Sequence, residues 1–272
     1  MTTVVPSSPP ANTDDEALRS LRAWVAQRLG LVFETQLETF EQRIFAYCRR
    51  RRVTLAELVV DLERESEAAV VGIAEAVSTN HTAFFREPEA FDVLRTVILP
   101  TLPQGEPWRL WSAAASSGEE AYSLAFTLRD ALDPLDASRV RILGTDLARR
   151  QVQRAEMGRY PRFLHPADEA FTRRFEIDGA DLVVPERVRA MCVFRTLNLA
   201  RQPWPFSQQF HVVFLRNVLY YFHPDVQRRV VEACYDVTTP GGWLVTSLTE
   251  PLLNLRTRWE RIGPGVHRRR PR

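Results

Sequence analysis

The chain has 272 residues, of which 45% are hydrophobic and 26% are charged, and its formal net charge is only +2. This size and composition predict a globular protein with one large core and a second small one, and the near-neutral charge argues against a general nucleic-acid binder. The longest apolar stretches, such as 68–74 and 212–215, are far shorter than the roughly 20 residues that cross a bilayer, so we expect no direct membrane insertion.

Cysteine usage and the first residues bear on the compartment. Cys48, Cys192 and Cys234 are far apart, with no paired spacing and no nearby histidine pattern, so we expect neither disulfides nor a metal site. Residues 1–12 are rich in Ser, Thr and Pro and lack the features of a secretion signal, which predicts a disordered tail. We therefore expect a cytoplasmic protein.

Residues 13–78 are predicted to form a small all-helical domain, because capping boxes recur before apolar residues at helical spacing. The boxes pair Thr13 with Glu16, Thr35 with Glu38, and Thr54 with Glu57. The apolar stripes are Leu18, Leu21, Val25 and Leu29, then Leu37, Phe40, Ile44 and Cys48, then Leu55, Leu58, Val59 and Leu62. A fourth helix is predicted through 70–77.

Residues 103–272 are predicted to form an α/β domain with a doubly wound, mainly parallel sheet. After a linker and helix at 79–102, which we expect to contribute to the active site, short apolar runs alternate with helices. These elements are 110–114, 119–132, 140–143, a helix from 148, 212–215, 224–237, and 243–247 after the turn at 240–242. The stretch 161–193 fits no βα unit and is predicted to be a small antiparallel insert. In such a sheet the ligand lies at the carboxyl ends of the strands.

The first crossover leads from a strand through the small residues 112–117 to Gly118, Glu119 and Glu120 at the start of a helix. Small residues let a ligand approach the backbone closely. The two carboxylates would repel a pyrophosphate and favour a cationic ligand, such as the sulfonium and ammonium groups of S-adenosylmethionine. The other interpretation is that both acids only complement the helix dipole.

Asp146 ends the next predicted strand, after Gly144 and Thr145. An acid at this position can accept both ribose hydroxyls of a nucleoside ligand. Asp146 would serve equally well as an N-cap for the helix beginning near Ala148. Only its combination with the first loop favours the functional interpretation.

Four segments occur in a fixed order: 80–87, which reads Asn-His-Thr-Ala-Phe-Phe-Arg-Glu; 112–123; 144–146; and 216–222, which reads Arg-Asn-Val-Leu-Tyr-Tyr-Phe. Together they resemble the chemotaxis receptor methyltransferases of the CheR type, and the resemblance covers nearly the whole chain. It implies a Rossmann-like methyltransferase sheet. It also implies transfer of methyl groups from S-adenosylmethionine to glutamate side chains of chemoreceptors, which gives glutamate methyl esters and S-adenosylhomocysteine during adaptation of chemotaxis-type signalling.

The resemblance also implies roles for single residues. The matched positions are Asn80, Thr82 and Arg86 at the methionine end of the cofactor, Glu120 from the first loop, Asp146 at the ribose, Asn198 and Leu199 beside the adenine, and Arg216, Asn217 and Tyr221 in the segment that closes the pocket. Of these, Arg86 and Tyr221 would lie nearest the reaction.

The chain departs from the family's pattern in three places. Leu215 replaces the usual Cys before the Arg-Asn pair, and Ser247–Glu250 reads Ser-Leu-Thr-Glu instead of Gly-His-Ser-Glu or similar, which leaves the contacts of that segment open. The stretch 175–193 lacks the glycine-rich hairpin loop of members that bind a receptor's C-terminal tether peptide. Tether binding is therefore not expected here.

The implied reaction needs no general base, because a glutamate with a pKa of about 4.3 is already anionic at neutral pH. Arg86 either orients this carboxylate through its guanidinium fork or holds the pocket wall through Glu87 and the cofactor. An NAD-dependent or nucleotide-sugar enzyme is disfavoured, because there is no G-x-G-x-x-G motif. A non-catalytic signalling adaptor with the same fold is the alternative hypothesis.

A run of arginines at the predicted end of the second helix suggests where a substrate binds. Receptor methylation segments in the resembling family are long helices that carry glutamates, so this basic face could attract one. A solvated helix end whose arginines complement the macrodipole is the other interpretation. The arginines are Arg43, Arg49, Arg50, Arg51 and Arg52. The expected partner is the cytoplasmic helical domain of a chemoreceptor, and the chain is expected to act as a monomer.

Overall fold

The computed structural model describes residues 11–33, 36–250, 252 and 255–271. Contacts within the chain divide it into two compact units, Met1–Ser78 and Thr79–Arg272. In the described part of the chain, no helix combines the length and apolarity that a membrane crossing requires.

The first unit is helical. Its helices are α1 (Ala11–Leu29), α2 (Leu37–Arg51), α3 (Leu55–Glu63) and α4 (Glu67–Val77). The predicted stripes are largely buried, with the exception of Leu37, which lies in the first turn of α2 and is 38% exposed. The predicted helical region is thus present, and its core is formed by one side of each helix.

The predicted capping boxes have different outcomes. The box at Thr54 is present, since its side chain accepts from the Glu57 backbone N–H and the Glu57 carboxylate accepts from the Thr54 N–H. The box at Thr13 is wrong, because α1 already begins at Ala11 and a residue inside a helix cannot be its N-cap. Ala11 and Asn12, which were expected in the disordered tail, belong to α1. The rest of the predicted tail, 1–10, and Thr35 of the second box lie outside the described residues.

The second unit contains the strands, and its main sheet confirms the predicted α/β class. The strands are β1 (Arg109–Ser112), β2 (Arg141–Asp146), β3 (Arg159–Pro161), β4 (Glu176–Asp178), β5 (Asp181–Val183), β6 (Cys192–Thr196), β7 (Phe210–Leu215), β8 (Thr238–Thr246), β9 (Glu260–Gly263) and β10 (Val266–Arg268). The seven-stranded sheet has the order β6-β2-β1-β7-β8-β10-β9. The first five strands are parallel, and β10 is antiparallel to both of its neighbours, β8 and β9. Every residue of β7 is buried, as expected for a central parallel strand.

Helices and one-turn segments connect these strands. The helices are α5 (Glu89–Val93), α6 (Glu119–Ala131), α7 (Pro134–Ser138), α8 (Arg149–Met157), α9 (Glu169–Thr172), α10 (Glu186–Arg189) and α11 (Pro224–Asp236). A π-helical turn, Leu94–Ile98, and a 3₁₀ turn, Leu99–Thr101, continue α5. Phe91, Leu94 and Ile98 belong to the same buried core as α6 and the sheet, so this predicted linker segment packs as part of the second unit.

The antiparallel insert is present, with shifted boundaries. It begins at Arg159, and its three strands have the order β3-β5-β4. The expectation that it extends to 193 is wrong, because β6 starts at Cys192 and pairs in parallel with β2. The strand predicted at 243–247 starts earlier, because β8 begins at Thr238, where it pairs with Phe210 ahead of the predicted turn. The strands β9 and β10 follow it and are not predicted from the sequence.

Candidate active site

The carboxyl ends of five parallel strands share one edge of the main sheet. Ser112, the last residue of β1, is in register with Gly144 of β2 on one side and Phe214 of β7 on the other. The chain goes from β1 to β2, whereas β7 follows much later, so the order of strands reverses between β1 and β7. In open α/β sheets this reversal leaves a crevice where ligands bind. The loops predicted to carry function start at this edge.

The loop after β1 requires small residues. Gly118 has φ +98°, and a Cβ on it would lie 2.8 Å from the Cβ of Ala155, so both its conformation and its surroundings exclude larger residues. The Ala115 N–H donates to the Thr145 carbonyl at 2.8 Å, which ties the loop to the end of β2. The hydroxyl oxygen of Ser116 is buried and has no hydrogen-bond partner among the described residues. The loop therefore offers a ligand both a close backbone approach and a polar group.

Asp146 joins this loop to the end of β2. One carboxylate oxygen accepts from the Ser116 N–H at 2.8 Å, and the other accepts from the Ala148 N–H at 2.9 Å. Burial raises the pKa of Asp146, and these backbone hydrogen bonds oppose the rise. The predicted N-cap role of Asp146 is wrong, because α8 begins at Arg149 and Ala148 is its N-cap, without a side-chain cap. The bond to Ser116 places the Asp146 carboxylate beside the first loop. Each oxygen keeps a second lone pair for a ligand hydroxyl.

Glu120 and Arg216 connect the loop after β1 to the loop after β7. The Glu120 carboxylate accepts from the Ser112 hydroxyl at 2.7 Å and from Nη1 of Arg216 at 2.9 Å. The Arg216 side chain is 1% exposed, and its Nη2 donates to the backbone carbonyl of Arg86 at 2.6 Å and lies 3.2 Å from the Glu87 carboxylate. A single buried guanidinium therefore holds together three of the four sequence segments. Glu119, by contrast, is buried against the Ser117 hydroxyl, and burial raises its pKa.

The segment 80–87 is held in a strained conformation. Phe85 and Glu87 have φ values of +53° and +54°, a region that side chains rarely adopt. The ring of Phe84 packs edge-on against Tyr160 and Phe175 of the insert, with centroids 4.9 Å apart in both pairs. Nη1 of Arg86 donates to the His81 carbonyl at 3.0 Å. These contacts fix the path of the segment, whose Asn80, Thr82 and Arg86 side chains are all half-buried.

Glu87 and the segment 247–250, whose contacts the sequence left open, complete the network. The Glu87 carboxylate accepts from Nδ2 of Asn217 and from the Ser247 hydroxyl, both at 3.0 Å. Burial would raise the pKa of Glu87, but these hydrogen bonds and the Arg216 charge lower it below its ordinary value. Glu250 is 6% exposed and accepts from the backbone N–H groups of Asn217 and Leu219. The segment 247–250, which differs in sequence from the family's pattern, thus contacts the loop after β7 directly.

The loop after β7 depends on this buried carboxylate. Asn217 has φ +56°, and a third hydrogen bond joins the Tyr220 N–H to Glu250 at 3.3 Å. Burial raises the pKa of Glu250 to about 7 despite these backbone donors. The rings of Tyr220 and Tyr221 have centroids 4.3 Å apart, and burial together with the hydrogen bond to Tyr221 raises the pKa of Tyr220.

Asn198 and Leu199 follow β6, next to the end of β2. The Leu197 N–H donates to the backbone carbonyl of Asp146 at 2.9 Å, which places both residues at the same edge as Asp146. The Asn198 side chain accepts from the Ala200 N–H, and Leu199 is 6% exposed. These residues are positioned next to the ends of β2 and β6, where the resemblance places the adenine.

The predicted arginines belong to the first unit. Arg49, Arg50 and Arg51 form the exposed last turn of α2, and Arg52 follows as its left-handed C-cap with φ +58°. Arg43 is half-buried, and its guanidinium donates to the Val77 carbonyl at 2.8 Å. Of the five predicted arginines, the four consecutive ones are therefore exposed to solvent, and Arg43 is half-buried.

The described residues contain no group of three or more His, Cys, Asp or Glu side chains that could hold a metal ion. The residues at the sheet edge do fit S-adenosylmethionine. The unpartnered Ser116 hydroxyl and the Asp146 carboxylate lie together, and the nearby carboxylates of Glu87 and Glu120 suit its cationic centres.

Comparison with known proteins identifies the family. Residues 80–264 match the family model described as CheR methyltransferase, SAM binding domain. The chain belongs to this family. Chemotaxis protein methyltransferase 1 of Pseudomonas aeruginosa is 33% identical over 228 residues, which are 78% of this chain and 82% of that protein. The chemotaxis protein methyltransferase of Vibrio anguillarum is 31% identical over 267 residues, 93% of this chain and 96% of that protein.

A further CheR relative, the chemotaxis protein methyltransferase of Borreliella burgdorferi, is 34% identical over 193 residues, 67% of this chain and 68% of that protein. The expectation of an S-adenosylmethionine-dependent methyltransferase of the CheR family is confirmed. The matched region, 80–264, includes all four segments from which the resemblance was inferred.

Proposed function

We propose that this CheR-family chain methylates glutamate side chains of a chemoreceptor's cytoplasmic helical domain. The observation that carries the proposal is the Arg216 guanidinium, which joins Glu120 of the first loop to the backbone of Arg86 and to Glu87. This network holds the residues expected around the cofactor's methionine end in one place. The relatives are named chemotaxis protein methyltransferases, which supports methyl transfer in chemotaxis, and the glutamate side chains of a chemoreceptor come from the resemblance.

We assign the cofactor-binding roles from the positions described above. Asp146 is proposed to accept the ribose hydroxyls, and Asn198 and Leu199 to flank the adenine. Asn80, Thr82 and Arg86 line the methionine end, and Glu120 contacts the cofactor from the first loop. Arg216, Asn217 and Tyr221 close the pocket. The backbone bonds of Asp146 leave it able to accept further hydrogen bonds, which supports its part of the assignment.

When bound, S-adenosylmethionine supplies an electrophilic methyl group on its sulfonium. The protein's task is to hold a glutamate oxygen roughly 3 Å from that methyl carbon, in line with the sulfur, and to remove water from the carboxylate. No residue has to accept a proton, because the substrate carboxylate is already ionised near neutral pH. We place Arg86 at this carboxylate and Tyr221 at the pocket wall. The Arg86 contact to the His81 carbonyl uses only Nη1, so the other guanidinium nitrogens can contact substrate.

Receptor recognition is proposed for Arg49, Arg50, Arg51 and Arg52, with Arg43 in a supporting role. Four exposed positive charges at the end of α2 favour a helix that carries glutamates. Tether-peptide binding is not proposed, since β4 and β5 are joined by only Gly179 and Ala180. We propose that the chain works as a monomer in the cytoplasm, where it uses no metal.

A signalling adaptor with the same fold is the alternative function, and cofactor binding separates the two. The direct experiment incubates the full chain with methyl-labelled S-adenosylmethionine and a chemoreceptor cytoplasmic domain. The expected result is label on the receptor that base treatment releases, because carboxylate methyl esters hydrolyse readily. The Asp146→Ala chain is the control and should transfer little label. A chain that binds no S-adenosylhomocysteine in calorimetry, while folded, would support the adaptor instead.

A further inference from the structure

A cavity of about 350 Å³ lies where the segment after β8 packs beside the β9–β10 hairpin. Its apolar lining includes Leu252 and Trp259, which are 6% and 7% exposed. The volume is within the range of small-molecule sites in proteins. None of the residues assigned above to the cofactor or the substrate lines this cavity.

His267 gives the cavity an unused hydrogen-bonding group. The side chain lines the cavity and is 5% exposed, and its Nε2 has no hydrogen-bond partner in the described part of the chain. Leaving a buried polar atom unpaired is unfavourable, so a ligand that pairs with it gains affinity. Burial, and then the charge of Arg261, lower the pKa of His267 to about 4, so the imidazole is neutral near pH 7. A neutral imidazole can offer its Nε2 to an occupant as a donor or an acceptor.

The charges around the cavity have one sign. Arg256 and Arg261 line it and are exposed, and no acidic side chain is among its described lining residues. His267 pairs with Arg261 across the β9–β10 ladder, which brings the imidazole and this guanidinium to the same part of the hairpin. Two guanidinium groups, with no carboxylate among the described lining residues, create a positive potential that favours an anion.

From these contacts we infer a second ligand site that binds a small organic anion with an apolar body. The anionic group contacts Arg256 and Arg261, a polar atom of the ligand pairs with Nε2 of His267, and the apolar body packs on Leu252 and Trp259. Carboxylate, sulfonate and phosphate groups share the required chemistry. Leu248 also lines the cavity and lies between Ser247 and Glu250 in the chain, so an occupant would touch the segment that holds the loop after β7.

The test uses two fluorescent probes with similar apolar bodies: anilinonaphthalene sulfonate, which is an anion, and phenylnaphthylamine, which is neutral. Titrations of the full chain are run with saturating S-adenosylhomocysteine, so that the cofactor site is blocked. We expect anilinonaphthalene sulfonate to bind at one site, and roughly tenfold more tightly than phenylnaphthylamine, the size of effect that one charge-assisted contact gives.

Variants locate the binding. Arg256→Gln with Arg261→Gln should weaken anilinonaphthalene sulfonate roughly tenfold or more, and His267→Leu should weaken it by a smaller factor. The matched control is Arg149→Gln with Arg187→Gln, two exposed arginines on α8 and α10, and it should bind like the unsubstituted chain. If a variant fails to fold, a second measurement takes its place: the nuclear magnetic resonance signals of the His267 ring in the unsubstituted chain should shift when the probe is added. Four results would overturn the site: no probe binding while S-adenosylhomocysteine is saturating, equal binding of both probes, unchanged binding by the glutamine variant, or unmoved His267 signals.

Discussion

Nη1 of Arg216 lies 2.9 Å from the Glu120 carboxylate, in a pair whose side chains are only 1% and 13% exposed. Removing the cation would leave Glu120 and Glu87 buried without their shared partner. We therefore expect Arg216→Ala to lower the free energy of unfolding by about 3–5 kcal/mol, as for other broken buried pairs. Chemical denaturation measures this change.

The control for that experiment is Arg173→Ala, which breaks the exposed pair with Glu169 on α9. Both side chains of this pair are about three-quarters exposed, so water screens them and the unfolding free energy should hardly change. If the two variants lose the same free energy of unfolding, the buried network stabilises the fold no more than an exposed ion pair does.

Glu250 predicts how stability depends on pH. Its pKa in the folded chain is about 7, above its ordinary value of 4.5, so the folded state binds the proton more tightly than the unfolded state. Stability from this group is therefore full below pH 4.5 and is lost as pH rises to 7, by up to about 3 kcal/mol. The unfolding free energy of the unsubstituted chain minus that of Glu250→Gln should fall between pH 5 and pH 8. Other buried acids, such as Glu119, are common to both chains and cancel. A difference that stays flat or rises with pH would contradict the assignment.

Asp146→Ala should weaken S-adenosylmethionine and S-adenosylhomocysteine alike by roughly 1.5–3 kcal/mol, the scale of charge-assisted hydrogen bonds to the ribose. Calorimetry gives both affinities. Asp133→Ala is the matched control, because Asp133 also accepts from two backbone N–H groups, those of Leu135 and Asp136 on α7. Unchanged cofactor affinity in a folded Asp146→Ala chain would remove Asp146 from the site.

Arg86→Ala should reduce methyl transfer by about 100-fold or more while the chain stays folded, because a misplaced substrate oxygen loses its alignment with the methyl group. Arg86→Lys tests the guanidinium fork: it should restore little activity if the fork orients the carboxylate. Tyr221→Phe should be milder than Arg86→Ala. Steady-state kinetics with a receptor fragment decides, and turnover by Arg86→Ala at the rate of the unsubstituted chain would exclude Arg86 from the reaction.

Reversing Arg49 and Arg51 to Glu should raise the KM for receptor by roughly tenfold at low salt, with less effect at high salt and none on cofactor affinity. Arg51 also hydrogen-bonds Tyr47, so Arg49→Glu with Arg50→Glu is a second version that leaves this contact intact. The control reverses Arg19 and Arg64, which are exposed in the same unit and change the net charge equally. If the control raises the KM for receptor as much as the α2 variants do, only total charge matters, and recognition must be sought in the insert.

The elements of the site that local pattern controls could be predicted from the sequence. Asp146 ends β2, and Gly118 closes the loop that follows β1. Parallel strands bring such ends and loops to one edge whatever the rest of the chain does. Glu250 could not be assigned in this way, because it binds backbone N–H groups 30 or more residues earlier, and those groups carry no side-chain signal. Tertiary pairing also determined where β8 starts, since Thr238 pairs with Phe210. The capping motif at Thr13 does not start a helix, because α1 already includes Ala11 and Asn12.

Every role proposed above depends on the chain placing methyl groups on glutamate carboxylates of a chemoreceptor. Mass spectrometry of a receptor cytoplasmic fragment, incubated with the full chain and S-adenosylmethionine, tests it most directly. We predict peptides heavier by one methylene unit on glutamate, restored to their original mass by mild base, and formed far more slowly by Asp146→Ala at low cofactor concentration. A fragment that keeps its original mass while the folded chain binds the cofactor, or a base-stable methyl group on another residue type, would contradict the claim.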